Sequence, residues 1–198
     1  MLLGWVLIIT FGGTVFLLNP TFVEFWVGKE EFAGQWVTFL VIVIAAQNIY
    51  MFIDQAVINT TLDVKEKVKY GLISSILSIG ISIILIEPLG IAGLCIGIIV
   101  GRGIMSISFP SIIYRKMNSS FKSYRTLIRL SIVTIFISII LYYAQGLIYI
   151  NGWFYLVLTG SLISVILMIF SFYFGINEEN RNELYRYFTN LNLFSSKG

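Results

Sequence analysis

A chain of 198 residues that is 58% hydrophobic and 12% charged, with a mean hydropathy of +0.90, departs from the quarter or so of charged residues usual in soluble domains. It has no histidine and one cysteine, Cys95, inside an apolar run, which excludes a His/Cys metal site, a disulfide framework and a Cys-His nucleophile. The composition predicts an all-α integral membrane protein with no catalytic residues, no cofactor and no metal.

Apolar stretches long enough to cross a hydrocarbon core of about 30 Å fall at about 2–18, 36–62, 70–86, 91–113, 127–147 and 153–174. The first, from Met1 to Leu18, has no basic region and no small-residue cleavage site, so it reads as a retained span and not as a signal peptide. Asn19-Pro20 is expected to end it. Asp63 to Lys69 is expected to be a polar turn, and Glu87-Pro88-Leu89-Gly90 to break the third span from the fourth, because proline stops helix propagation and glycine permits a turn. Residues 176–198 are expected to form a cytoplasmic tail. There Leu184, Tyr187, Phe188 and Leu191 repeat at amphipathic-helix spacing, which fits either a helix on the inner leaflet or a solvated tail.

Basic residues set the orientation. With the N-terminus inside, Lys65, Lys67, Lys69, Arg115, Lys116, Lys122, Arg125, Arg129, Arg181, Arg186 and Lys197 are all cytoplasmic, against Lys29 alone outside and Arg102 within a span. That asymmetry predicts a multi-pass protein of the cell (cytoplasmic) membrane with both termini cytoplasmic. It also accounts for the net charge of +3 without a nucleic-acid partner. Trp36, Tyr149, Trp153 and Tyr155 fall at outer ends, and Tyr70, Tyr114 and Tyr173 at inner ones, as interfacial aromatics do. The first span begins at Met1-Leu2 without the basic flank of the other inner ends, which raises the expectation that the chain is a fragment. The basic segment from Arg115 to Arg129 is expected to meet anionic lipid headgroups.

Polar residues inside the spans are the functional candidates. At 100° per residue, Thr61, Asp54, Gln47, Gln55, Asn48 and Asn59 share an arc of about 160° on the second span. Such a face either lines a hydrophilic cavity or makes interhelical hydrogen bonds. Ser74, Ser78 and Ser82 on the third span and Gly93, Gly97 and Gly101 on the fourth each recur every fourth residue, which predicts a tight antiparallel hairpin.

Arg102 stands between Gly101 and Gly103, about 16 Å deep at the level of Gln47, with Asp54 about two turns further in. Three readings of it stay open: a structural pair with Asp54, a fork of donors presented to an anion in a water-filled lumen, or a cation that snorkels or meets a missing partner. Asp54 is in turn a candidate for ion coupling.

The stretch "NPTFVEFWVGKEEF", residues 19–32, resembles the outer loop of polysaccharide flippases. The stretch "LDVKEKVKYGLISSILSIGISIILIEPLGIAGLCIGIIVGRGI", residues 62–104, is similar to that family's basic inner turn, Ser-bearing helix, Gly-Ile-x-Gly turn and Gly-rich helix. Together they resemble the C-terminal half of an O-antigen or teichoic-acid flippase of the multidrug/oligosaccharidyl-lipid/polysaccharide superfamily. The resemblance implies one six-helix lobe of a two-lobe transporter that passes a lipid-linked sugar by alternating access, beside a missing N-terminal lobe or a second copy, among membrane lipids. It carries over no fixed set of substrate residues. Arg102, Gln47, Asn48, Gln55 and Asn59 are lumen candidates on physical grounds.

Two other functions compete: the C-terminal half of a cation-coupled drug exporter, which places the weight on Asp54, and a non-transporting scaffold for polysaccharide biosynthesis. Glu24, Glu30 and Glu31 in the outer loop have no accompanying base or metal-ligand set and read as solvated.

Overall fold

The computed structural model describes residues 2–60, 64–117, 124–144 and 150–176. Thr61, the Arg115–Arg129 side chains, Tyr149 and the expected amphipathic tail beyond Ile176 lie outside the described residues and side chains. Every regular element among the described residues is helical, and five helices are long and apolar enough to cross a membrane: Leu2–Trp26, Gln35–Ala56, Lys65–Leu89, Ile91–Ile113 and Trp153–Gly175. This is the architecture of a multi-pass membrane protein. A further helix, Tyr124–Ala144, precedes the last of these and is counted as the fifth in chain order.

Asn19-Pro20 does not end the first helix, which runs on to Trp26 with Pro20 inside it. A proline removes one N–H and orphans the carbonyl four residues before it, here Phe16. Gln35 supplies the missing donor: its Nε2 donates to the Phe16 carbonyl at 2.6 Å. Beside it, Asn19 Nδ2 donates to Thr38 Oγ1 at 2.8 Å. The expected break therefore becomes the place where the second helix is stitched to the first.

The third helix also exceeds its expected bounds. It spans Val64–Leu89, so Lys65, Lys67 and Lys69 sit on its opening turns and not in a loop, and Pro88 lies in its last turn. The break from the fourth helix, Ile91–Met117, falls to Gly90 alone, whose φ of 57° lies in the left-handed region that glycine adopts without strain.

Third and fourth helices form the expected tight hairpin, in a register set by their small residues. A Cβ added to Gly97 would lie 2.5 Å from the backbone N of Ser82, and one added to Gly101 would lie 2.5 Å from that of Ser78. Gly93 packs against the Leu85 backbone, while Ser74, almost fully buried, lies one turn beyond the glycine series. Ser82 Oγ donates to the Leu94 carbonyl at 3.1 Å. The second helix packs along the fourth, on Ile58, Phe109 and Ile112.

The first, fifth and sixth helices enclose a separate apolar core of Trp5, Leu17, Leu18, Ile137, Leu141 and Leu167. Trp5 Nε1 donates to Thr134 Oγ1 at 3.0 Å, and Gly175 lies against the Trp5 ring, where a Cβ would not fit. The hydroxyls of Thr14 and Ser164 bond at 2.9 Å. The two groups meet along the first helix, from Gly4 against Ile49 to the Gln35 and Asn19 bonds, and the middle of that contact is a π-helical stretch, Ile8–Gly12. There Gly12 lets Ile42 of the second helix approach to within 2.8 Å of the position a Cβ would take. Apolar grooves of about 360 and 220 Å³ lie on either side of Gly12.

Candidate functional site

The polar face of the second helix, Gln35–Thr60, is directed mainly at its neighbours. Gln47 Nε2 donates to the backbone carbonyl of Ile99 at 3.2 Å. One residue on, Asn48 Oδ1 accepts a 2.6 Å hydrogen bond from Arg102 Nη1. Because the second and fourth helices run parallel, consecutive residues on one reach a single turn of the other. Gln47 and Asn48 thereby grip Ile99 and Arg102 together.

The placement of Arg102 follows from the glycine beside it. Gly101 faces Ser78 of the third helix at backbone contact, and a step of 100° turns the next side chain toward the second helix. Gly103 faces open space, so no Cβ crowds the guanidinium from that side. Ser106 Oγ donates to the Arg102 carbonyl at 3.2 Å.

Among the described residues no ion pair neutralises the charge. No ion pair joins Arg102 to Asp54, and among the described residues the guanidinium has Asn48 as its hydrogen-bond partner. A guanidinium carries five N–H donors, and Arg102 is half-buried beside an exposed Asn48. The site therefore offers a partly occupied planar fork, the geometry that takes up carboxylate or phosphate in bidentate fashion.

The other nominated residues go elsewhere. Asp54 is 4% exposed, with its Oδ1 buried and without a hydrogen-bond partner. Gln55 is half-buried on the same helix. Asn59 Oδ1 accepts from Lys67 Nζ of the third helix at 2.9 Å, a tie between helices at that end. Arg102, Asn48 and Gln47 thus come together, whereas Asp54 and Asn59 belong to other surroundings. Gln47 Oε1 is also buried without a partner, so the cluster retains an unused acceptor next to unused donors.

Sequence reasoning passed over the Ile99 carbonyl, which no side-chain pattern can signal. It also passed over "TFGGT", residues 10–14, where the hydroxyls and glycines do give a signal. The π-helical stretch ends there, and Thr10 Oγ1 is buried without a partner. Searches against protein-family models, curated proteins and solved structures find no match to this chain.

Proposed function

We propose that this chain is one six-helix lobe, with Tyr124–Ala144 as its remaining span, of a transporter that moves lipid-linked oligosaccharide or polysaccharide precursors across the cell membrane by alternating access. The observation that carries the reading is the Arg102–Asn48 pair: a cation deep in an apolar helix, held by a neutral partner, with most of its donors unused among the described residues. A purely structural arginine at this depth would be expected to have a carboxylate partner, since the cost of placing it there is roughly 2.5–3.5 kcal/mol on insertion scales. An anionic group such as the diphosphate of a lipid-linked sugar, or an acidic sugar, has the charge and shape to take up the open fork. A second lobe, or a second copy of this one, would close the lumen on the side that Arg102 faces.

The test is export of lipid-linked sugar in cells carrying Arg102→Gln or Arg102→Lys, with insertion followed in membrane fractions. Loss of export in Arg102→Gln, with partial activity in Arg102→Lys and normal insertion in both, is the expected result. Full export in Arg102→Gln would sink the anion-site reading.

A second reading, a cation-coupled exporter of the same superfamily, draws on the buried Asp54 carboxylate with its unpartnered Oδ1, since intramembrane carboxylates often mark ion pathways. Asp54→Asn would then abolish the dependence of transport on a proton or sodium gradient. A variant that stayed gradient-dependent would remove this reading.

A further inference from the structure

The three lysines at the start of the third helix have different fates. Lys67 turns toward the second helix and bonds Asn59. Lys65 and Lys69 are exposed and, among the described residues, have no ion-pair or hydrogen-bond partner; they border an open groove whose other walls are Val68, Leu72 and Ile73.

Continuing from Lys65 and Lys69 at the same helical spacing, Leu72, Ile76, Ile79 and Ile83 extend the stripe. These four are 60%, 69%, 61% and 67% exposed, on a side of the third helix left open among the described residues, with Ile79 and Ile83 bordering the groove shared with Leu94 and Ile98 of the fourth helix. From Leu72 to Ile83 the rise is about 16 Å, close to half of a hydrocarbon core of about 30 Å. A cationic pair thus caps an apolar track as deep as one leaflet.

We infer that this stripe is a binding site for one anionic phospholipid, its phosphate between Lys65 and Lys69 and an acyl chain along Leu72 to Ile83. The occupant follows from charge and length together. Two unpaired ammonium groups select an anionic headgroup, and the apolar track requires a chain attached to it, which free phosphate lacks. The inference does not depend on the transport reading, because it uses only the helices and their membrane placement.

The test uses the full chain in a neutral detergent, with its thermal midpoint followed as phosphatidylglycerol, phosphatidylcholine or inorganic phosphate is added. Phosphatidylglycerol should raise the midpoint, and the other two should not. In Lys65→Gln/Lys69→Gln the half-saturating phosphatidylglycerol concentration should rise roughly thirtyfold, as expected for two lysines near a headgroup. Lys67→Gln should keep the wild-type response, even if its starting midpoint is lower. An unaltered response in the double variant, an equal response to phosphatidylcholine or phosphate, or no response in the unsubstituted protein would each overturn the inference.

Discussion

Gln35 donates its side-chain amide to the backbone carbonyl of Phe16 at 2.6 Å, the carbonyl that Pro20 leaves without its helical partner. A break in one helix is thereby repaired by the first residue of the next. In hydrocarbon an unsatisfied carbonyl is costly, and proline is tolerated in membrane helices where a neighbour supplies the bond.

That relationship predicts a rescue. Gln35→Leu should lower stability by about 1–3 kcal/mol, the penalty for an orphaned buried acceptor. Pro20→Ala restores the N–H, so Pro20→Ala/Gln35→Leu should lose less than Gln35→Leu alone. Unfolding of the four proteins in mixed micelles closes the double-mutant cycle. Additive effects would show that Gln35 does not act on the proline gap.

The hairpin predicts a contrast between the two glycines that flank Arg102. In Gly101→Ala the new methyl meets the Ser78 backbone, which cannot yield as a flexible side chain can, and the cost should be about 1–3 kcal/mol or more. Gly103→Ala meets nothing within 4 Å and should be neutral or slightly stabilising, since alanine favours helix over glycine by about 1 kcal/mol. The same unfolding measurement decides both, and equal losses would mean the register is wrong.

Asn48→Asp replaces the neutral partner of Arg102 with a charged one. An internal ion pair should form, and the fork should become less available to an incoming anion. Export should fall about tenfold or more, as when one charged hydrogen bond worth about 1.5 kcal/mol is lost, while the thermal midpoint holds or rises. Undiminished export would show that Arg102 does not receive the substrate.

If the functional unit has two lobes, the protein extracted from native membranes should run at about twice the 22.4 kDa of this chain, as a dimer or joined to a second lobe. Native mass spectrometry in a mild detergent reads this directly. A strictly monomeric species with full export would count against the two-lobe arrangement.

Much of the fold was legible because the membrane imposes it. Six apolar runs read as spans, of which five fold as helices long and apolar enough to cross a membrane among the described residues, and the Ser and Gly repeats announced the hairpin, since small residues at every fourth position form a continuous ridge on one face. Helix ends were less legible. Asn19-Pro20 carries a stop signal that is correct locally and is overruled by Gln35, fifteen residues later in the chain, whose reach depends on how two helices pack. The charged run from Lys65 to Lys69 looked like a loop because polarity ends a membrane span, yet a helix continues into the headgroup region as long as its backbone bonds continue.

The sequence alone determined a membrane protein with one intramembrane arginine and a polar face on the second helix, because hydropathy and a 100° step depend only on residue order. Which side chain Arg102 would meet was decided by tertiary structure. Asp54 and Asn48 lie on the same face, and charge alone favours Asp54. The parallel packing of the second and fourth helices puts Asn48 beside Arg102, and Asp54 is six residues further along, about 9 Å at helical rise.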